Sequence, residues 1–187
     1  VFTPRDDPGC WQLVKWYCQS ADGALHQSVS HLLCTHLIME TVFVAARRNL
    51  AERHPVHELL DAHFHSSVLV NTSMRQHLMV ASGPFPKLFP QGFEGMKQLM
   101  HKCNSTWDWN RYHIPDLLRE NGTNDAAALP KYYFRDDVLR LWPMVETYVT
   151  NLMNLVYSSD ADVAADTELS EFARELQIGT TWSNLPM

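Results

Sequence analysis

Basic charge is in short supply in this 187-residue chain: 15 lysines and arginines stand against 21 aspartates and glutamates, a net charge of −6. Nucleic-acid binders carry a basic patch or stripe, so the balance argues against a nucleic-acid partner. Cysteine is sparse too. Cys10, Cys18, Cys34 and Cys103 form no CxxC pair and no dense framework, which predicts reduced thiols in a cytosol instead of a disulfide scaffold. No uninterrupted apolar run reaches the roughly 18 residues that a membrane-crossing helix demands. No charged segment precedes an apolar stretch in the manner of a signal peptide. Without such a leader, the sequons at Asn71, Asn104 and Asn121 carry little weight. Repeats and low-complexity tracts are absent, and no linker is strong enough to define a second domain. The chain opens on Val1, not on methionine, and stops at Met187 just beyond a predicted helix, so it reads as a piece of something longer.

What is present is mostly helix. Apolar residues make up 45% and charged residues 19%, ordinary for a globular domain with a sizeable core. Residues 10–22 place Trp11, Val14 and Cys18 near helical period, with Asp22 and Gly23 as punctuation. Residues 24 to about 50 form the longest predicted helix. It ends at His54–Pro55, because proline disfavours helix in the residue before it. A short helix is expected over 56–64, and helix or, in its first half, strand over 66–82. Gly83, Pro84, Pro86, Pro90, Gly92 and Gly95 make 83–95 a loop. Residues 93–103 read as a short amphipathic helix and 121–130 as a loop. Residues 132–157 read as a long helix, with Asp136 or Asp137 as N-cap and Pro143 as a kink or early turn. A last helix spans 166–179, with acidic residues in its first turn and Gly179 as its C′ residue.

One stretch stands out, "HQSVSHLLCTHLIMETV" at 26–42. His26, His31 and His36 fall at intervals of five and Glu40 follows, in an almost wholly apolar run. On a regular helix the step from His31 to His36 turns the ring by about 140° net, so the two face different sides. A π-type bulge with i→i+5 hydrogen bonds returns them to one face, and such bulges are frequent at functional sites. The spacing therefore predicts a locally widened helix. Imidazole is the commonest metal-binding side chain near neutral pH, so the same spacing suggests a metal clip. A plain core role stands beside it, since a single histidine on an apolar helix is more often hydrogen-bonded than metal-bound. Glu40 lies four residues past His36 on the same face, as a ligand or as a group that orients a histidine. Cys34 reads as a small core residue. Imidazoles with oxygen ligands suit non-haem iron or zinc.

The wider run, "HQSVSHLLCTHLIMETVFVAARRNLAERHPVHELLDAHF", closely resembles the iron-binding signature of the lipoxygenase family. That signature has three histidines separated by four residues each, then a glutamate, an Arg-x-Leu-like turn and "HP…LL…H". "WQLVKWYCQSAD", "VLVNTSMRQHL", "YYFRDDVLRLWPMVETYV" and "DTELSEFARELQ" resemble further family segments, collinear from about Val1 to Gln177. The resemblance implies a mostly α fold: a segment of the helical lipoxygenase catalytic domain, with a long central helix widened at the histidine run. It makes residues 1–187 a partial catalytic domain, without the amino-terminal β-sandwich, the early helices and the C-terminal iron-ligand helices. His31 and His36 would then ligate a mononuclear non-haem iron, with His26, Gln27 and Glu40 in support. Leu32 and Leu37 would line a fatty-acid channel and Leu78 would lie near the route of oxygen, although plain packing explains each leucine equally well. The implied activity is dioxygenation of a polyunsaturated fatty acid by O2 to a hydroperoxide. The implied partners are that substrate and the remainder of the domain or another chain. The implied location is cytoplasmic, with room for peripheral membrane contact. His65 stands where many animal members carry arginine, Glu58 replaces a common lysine, and Leu88 aligns with a position that is Ala or Gly in many members. The remaining ligands of the family lie beyond the end of this chain, which is expected to be inactive alone. Two alternatives are a non-catalytic lipoxygenase-like structural or partner-binding module, and an unrelated metal site using Glu40 as its oxygen ligand.

Overall fold

Asp7 starts the longest helix of the protein. Its carboxylate accepts from the backbone N–H groups of Gly9 at 2.9 Å and Cys10 at 3.1 Å. Pro8 takes the first helical position, where a missing N–H costs nothing. In the computed structural model, which describes residues 1–179, this helix continues without a break to Asn49. It comprises α1 (Pro8–Leu25), a π-helical stretch π1 (His26–Leu37) and α2 (Ile38–Asn49). The N–H of Ile38 bonds to the carbonyl of Leu33, five residues back, so the widening falls on the histidine run as its spacing predicts. Asp22 and Gly23 do not punctuate the helix. The N–H of His26 reaches both of their carbonyls, and one helical glycine costs only about 1 kcal/mol, which a helix of this length absorbs.

By length and composition the whole helix is long and apolar enough to cross a membrane, although no uninterrupted apolar run announces it. A core helix meets the same description. Leu32, Leu33, Leu37, Ile38, Val42, Ala45 and Ala46 are all buried here, and α5 and α4 pack on π1 while α3 and α4 pack on α2.

The chain forms two compact units, residues 1–106 with the segment from Glu168 onward, and residues 107–167. The first unit holds the long helix, α3 (Pro55–Asp61), α4 (Ser67–Ser73) running into a second π-helical stretch π2 (Met74–Leu78), and α5 (Gly92–Asn104). A 3₁₀ turn at Phe85–Leu88 sits within the expected loop. The strand alternative over 66–73 is replaced by helix. A helical register sets Asn71 and Arg75, four residues apart, against the same carboxylate of Glu40. The π2 stretch was not foreseen. It shows in the bond from Met79 N–H to the Met74 carbonyl at 3.0 Å.

The second unit holds a 3₁₀ turn at Trp109–Tyr112, α6 (Ile114–Glu120), α7 (Tyr133–Val156) and α8 (Asp160–Ala165). The sequence reading missed the two short helices α6 and α8, which carry too few turns to show a period. Neither Asp136 nor Asp137 is the N-cap of α7, which begins at Tyr133. Asp136 is engaged by Arg135, whose Nε and Nη2 donate to it at 2.8 and 2.7 Å. Nη1 of the same buried guanidinium donates to the carbonyls of Asp125 and Leu129, both at 3.0 Å, and so ties down the 121–130 loop. Pro143 lies inside α7, and helix continues on both sides of it. The Tyr157 hydroxyl caps this region by donating to Asp166 at 2.6 Å. Burial, then that carboxylate, pushes the Tyr157 phenol up to about 12. A raised value in the fold means stability that is present below the ordinary value of 10 and lost as pH rises toward 12. Alkaline absorbance titration is expected to show one late-ionising tyrosine, and Asp166→Asn is expected to return it toward the others.

The last helix, α9 (Thr167–Gly179), returns to the first unit. The turn that would follow Gly179 lies outside the described residues. Phe172 from α9 joins Val42, Ala45, Ala46, Leu50 and Phe64 in one core cluster. Asn49 Nδ2 donates to Glu175 at 2.6 Å, and Glu168 accepts from the Ala51 N–H at 2.7 Å, beyond the end of α2. Phe172 is 7% exposed. Phe172→Ala is expected to cost about 3–5 kcal/mol, read as a lower midpoint in urea with an unchanged slope.

Candidate metal centre

Widening the helix brings the second and third histidines together. The His31 and His36 rings lie 5.0 Å apart between centroids, with their planes at 63°. His31 Nδ1 is 2.8 Å from Gln27 Oε1, and His36 Nδ1 is 2.8 Å from Asn71 Oδ1. An amide oxygen only accepts, so Nδ1 carries the hydrogen in both rings and Nε2 keeps a free lone pair. That tautomer is assigned from the hydrogen bonds. The His31 imidazole is held below its ordinary range, first by burial and then by the charges of His36 and His26. Its neutral, lone-pair-bearing form is therefore favoured. His26 is exposed at the first position of π1, and its charge is the last of the causes that lower His31.

Glu40 is occupied on both oxygens. Arg75 Nη1 donates to Oε2 at 2.7 Å and Nη2 to Oε1 at 2.8 Å, while Asn71 Nδ2 donates to Oε2 at 2.7 Å. Burial alone would raise the Glu40 carboxyl. The hydrogen bonds from Arg75 and Asn71 and the Arg75 charge outweigh it and leave the group below its ordinary range. A carboxylate so engaged is poorly placed to be an oxygen ligand, which weighs against the reading that made it one. Asn71 is 1% exposed and also donates to the His36 backbone carbonyl at 3.0 Å. Asn71 and Arg75 are the residues that the sequence reading left unassigned. Their four-residue spacing within "VLVNTSMRQHL" was the available signal.

Leu32 and Leu37 are buried beside the two histidines, at 5% and 4% exposure. Leu78, at the end of π2, is 46% exposed. Two pockets, of about 520 and 540 Å³, are lined by residues of the second unit, among them Trp109, Trp142, Leu129 and Tyr132. None of the residues of the histidine run, nor any of these three leucines, lines them. Among the described residues no group of three or more histidine, cysteine or acidic side chains could hold a metal ion. The described chain thus offers two imidazole donors and no third ligand.

The lipoxygenase family model matches residues 1–180. The chain belongs to the lipoxygenase family. It is 35% identical over 190 residues to a mouse (Mus musculus) arachidonate 12-lipoxygenase of 12R type, covering 100% of this chain and 27% of that protein. It is 32% identical over 173 residues to an allene oxide synthase-lipoxygenase protein of Plexaura homomalla, covering 92% of this chain and 16% of that protein. A solved calcium-dependent 11R-lipoxygenase matches with a TM-score of 0.90 and 31% identity, over 98% of this chain and 27% of that one. This lipoxygenase chain therefore spans between about a sixth and about a quarter of the relatives it matches. The helical fold expected for a catalytic-domain segment agrees with these structures.

The Glu40 pair gives a pH test. A carboxyl lowered in the fold contributes stability that is fully present above its ordinary value of 4.5 and is lost as pH falls through the lower folded value. Glu40→Gln is expected to flatten the acid limb of a stability-against-pH curve below about pH 4.5. An unchanged acid limb would show that the pair contributes nothing.

Proposed function

We propose that this chain supplies two metal ligands, His31 and His36, to a mononuclear non-haem iron centre in a longer lipoxygenase that adds O2 to a polyunsaturated fatty acid. The observation that carries the reading is the pair of imidazoles, 5.0 Å apart on a π-widened turn, each with Nδ1 engaged by an amide oxygen. Their donor chemistry fits iron or zinc, and membership of the lipoxygenase family favours iron. A solved lipoxygenase in complex with arachidonate, 31% identical over 91% of this chain, supports a fatty acid as substrate.

Iron held at Nε2 of His31 and His36 would supply one-electron chemistry toward a doubly allylic C–H bond and O2. The chain's own part is to hold the rings. Gln27 and Asn71 hold the two rings through Nδ1. Leu32 and Leu37, each next to one of them in the chain, are buried. We assign the two leucines to the wall of the substrate channel and Leu78 to the oxygen route. His26, at the exposed end of the run, opposes protonation of His31. A lipid substrate fits a cytoplasmic protein that touches a membrane surface.

The test is iron content and conjugated-diene absorbance with linoleate or arachidonate, on the longer protein that contains this segment. Iron with diene product is expected, and His36→Ala is expected to remove both. A longer protein with neither would sink the reading. The 187-residue chain alone, with two imidazole donors, is expected to give no diene. A second reading, a non-catalytic partner-binding module, draws on the apolar residues that α7 exposes, Leu141, Val145, Tyr148 and Leu155. Partner binding without iron in the same experiment would favour it.

A further inference from the structure

We propose that Asn71 is a positioning residue that fixes which ring nitrogen His36 presents for coordination, and that Glu40 and Arg75 act on His36 through it. The inference rests on His36 being a metal ligand. It adds a cause for the tautomer that such a ligand needs.

A neutral imidazole has two tautomers, and only one leaves Nε2 bare. A side-chain amide can choose between them because its ends are opposite in kind: the oxygen accepts and the NH2 donates. At Asn71 the oxygen faces His36 Nδ1 at 2.8 Å. Its nitrogen lies 3.0 Å from the His36 carbonyl and 2.7 Å from Glu40 Oε2. An ionised carboxylate and a carbonyl only accept. Turning the amide over would set its oxygen against both of them and its NH2 against Nδ1. Nδ1 would then have to accept, and the ring hydrogen would move to Nε2, closing the coordinating position. Asn71 is 1% exposed, so water does not compensate the reversed state.

Arg75 completes the arrangement. Its guanidinium has donors only and grips both oxygens of Glu40, at 2.7 and 2.8 Å. Glu40 is thereby held as an acceptor in place. His36 donates to Asn71, Asn71 and Arg75 donate to Glu40, and the second Asn71 hydrogen goes to the His36 carbonyl. His31 lacks this backing. Its Nδ1 meets Gln27, which no carboxylate holds among the described residues. The geometry therefore backs the His36 tautomer with a carboxylate and holds that of His31 by one amide alone.

The test is ¹⁵N NMR of the metal-free full chain, labelled at histidine, with the rings neutral and His36 assigned by its loss in His36→Ala. Wild-type His36 is expected as Nδ1–H with a bare Nε2. Glu40→Gln keeps the size of the side chain but can face Asn71 with either an oxygen or an NH2, and is expected to give a mixture of tautomers at His36. Arg75→Lys keeps a cation on Glu40 and is expected to leave His36 as in the wild type. Asn71→Leu is expected to move the hydrogen to Nε2; should that variant not fold, Glu40→Gln decides. Co²⁺ titration of the same chains is expected to show about a ten- to hundredfold loss of affinity in Glu40→Gln. His36 held as Nδ1–H in folded Glu40→Gln, or found as Nε2–H in the wild type, overturns the proposal. A tautomer that follows the variants while Co²⁺ binds equally well to His36→Ala upholds the relay and overturns the metal reading.

Discussion

Backbone hydrogen bonds that reach back five residues, instead of four, are the constraint on which the candidate site depends. A regular helix would send His31 and His36 to different sides, and no arrangement of the surrounding helices would bring both imidazoles to one point. The π1 geometry removes that conflict inside a single helix. Widened turns are rare, and their hydrogen bonds must be held from outside. Here α4 and α5 pack on π1, and the buried Asn71 donates directly to the backbone carbonyl of His36. The same side chain that steadies the widened backbone also holds the ring, so the fold and the site share one support.

The second π-helical stretch belongs to this logic. Asn71 stands at the end of α4 and Arg75 at the start of π2, and both reach Glu40 across from the long helix. Neither residue is near the histidines in sequence; the separation from His36 to Asn71 is 35 positions. Beside the proposed metal site a charged pair would have to be closed on itself, since a loose carboxylate would compete for the metal and a loose guanidinium would repel it. The fork of Arg75 on both oxygens of Glu40 closes it.

How much of this was legible in the sequence differs by kind of feature. The widened turn was, because a spacing of five in an apolar run has few other uses. The long helices were, because α7 and the histidine helix carry many apolar positions in period. The Asp22–Gly23 stop failed because glycine and aspartate bias a helix only weakly against the length on either side. The N-cap of α7 failed because the helix begins at Tyr133, three residues before Asp136, whose carboxylate is held by the adjacent Arg135. The short helices α6 and α8 failed for want of turns. Asn71 and Arg75 were quoted within a family-like segment, yet their role depends on facing Glu40, which only the fold supplies.

Two histidines are too few for a firm iron site, and this bears on how the chain is built. With only two donors from one helix, the orientation of each ring matters more than in a closed four-ligand site, where the other ligands correct a wandering one. The structure spends its most buried polar contacts on His36 and leaves His31 with a single amide partner on a half-buried glutamine. One rigid and one adaptable imidazole suit a centre completed by ligands from elsewhere in a longer protein. If the pair holds a metal as proposed, the rigid ring would set its place and the less constrained one would adjust to it.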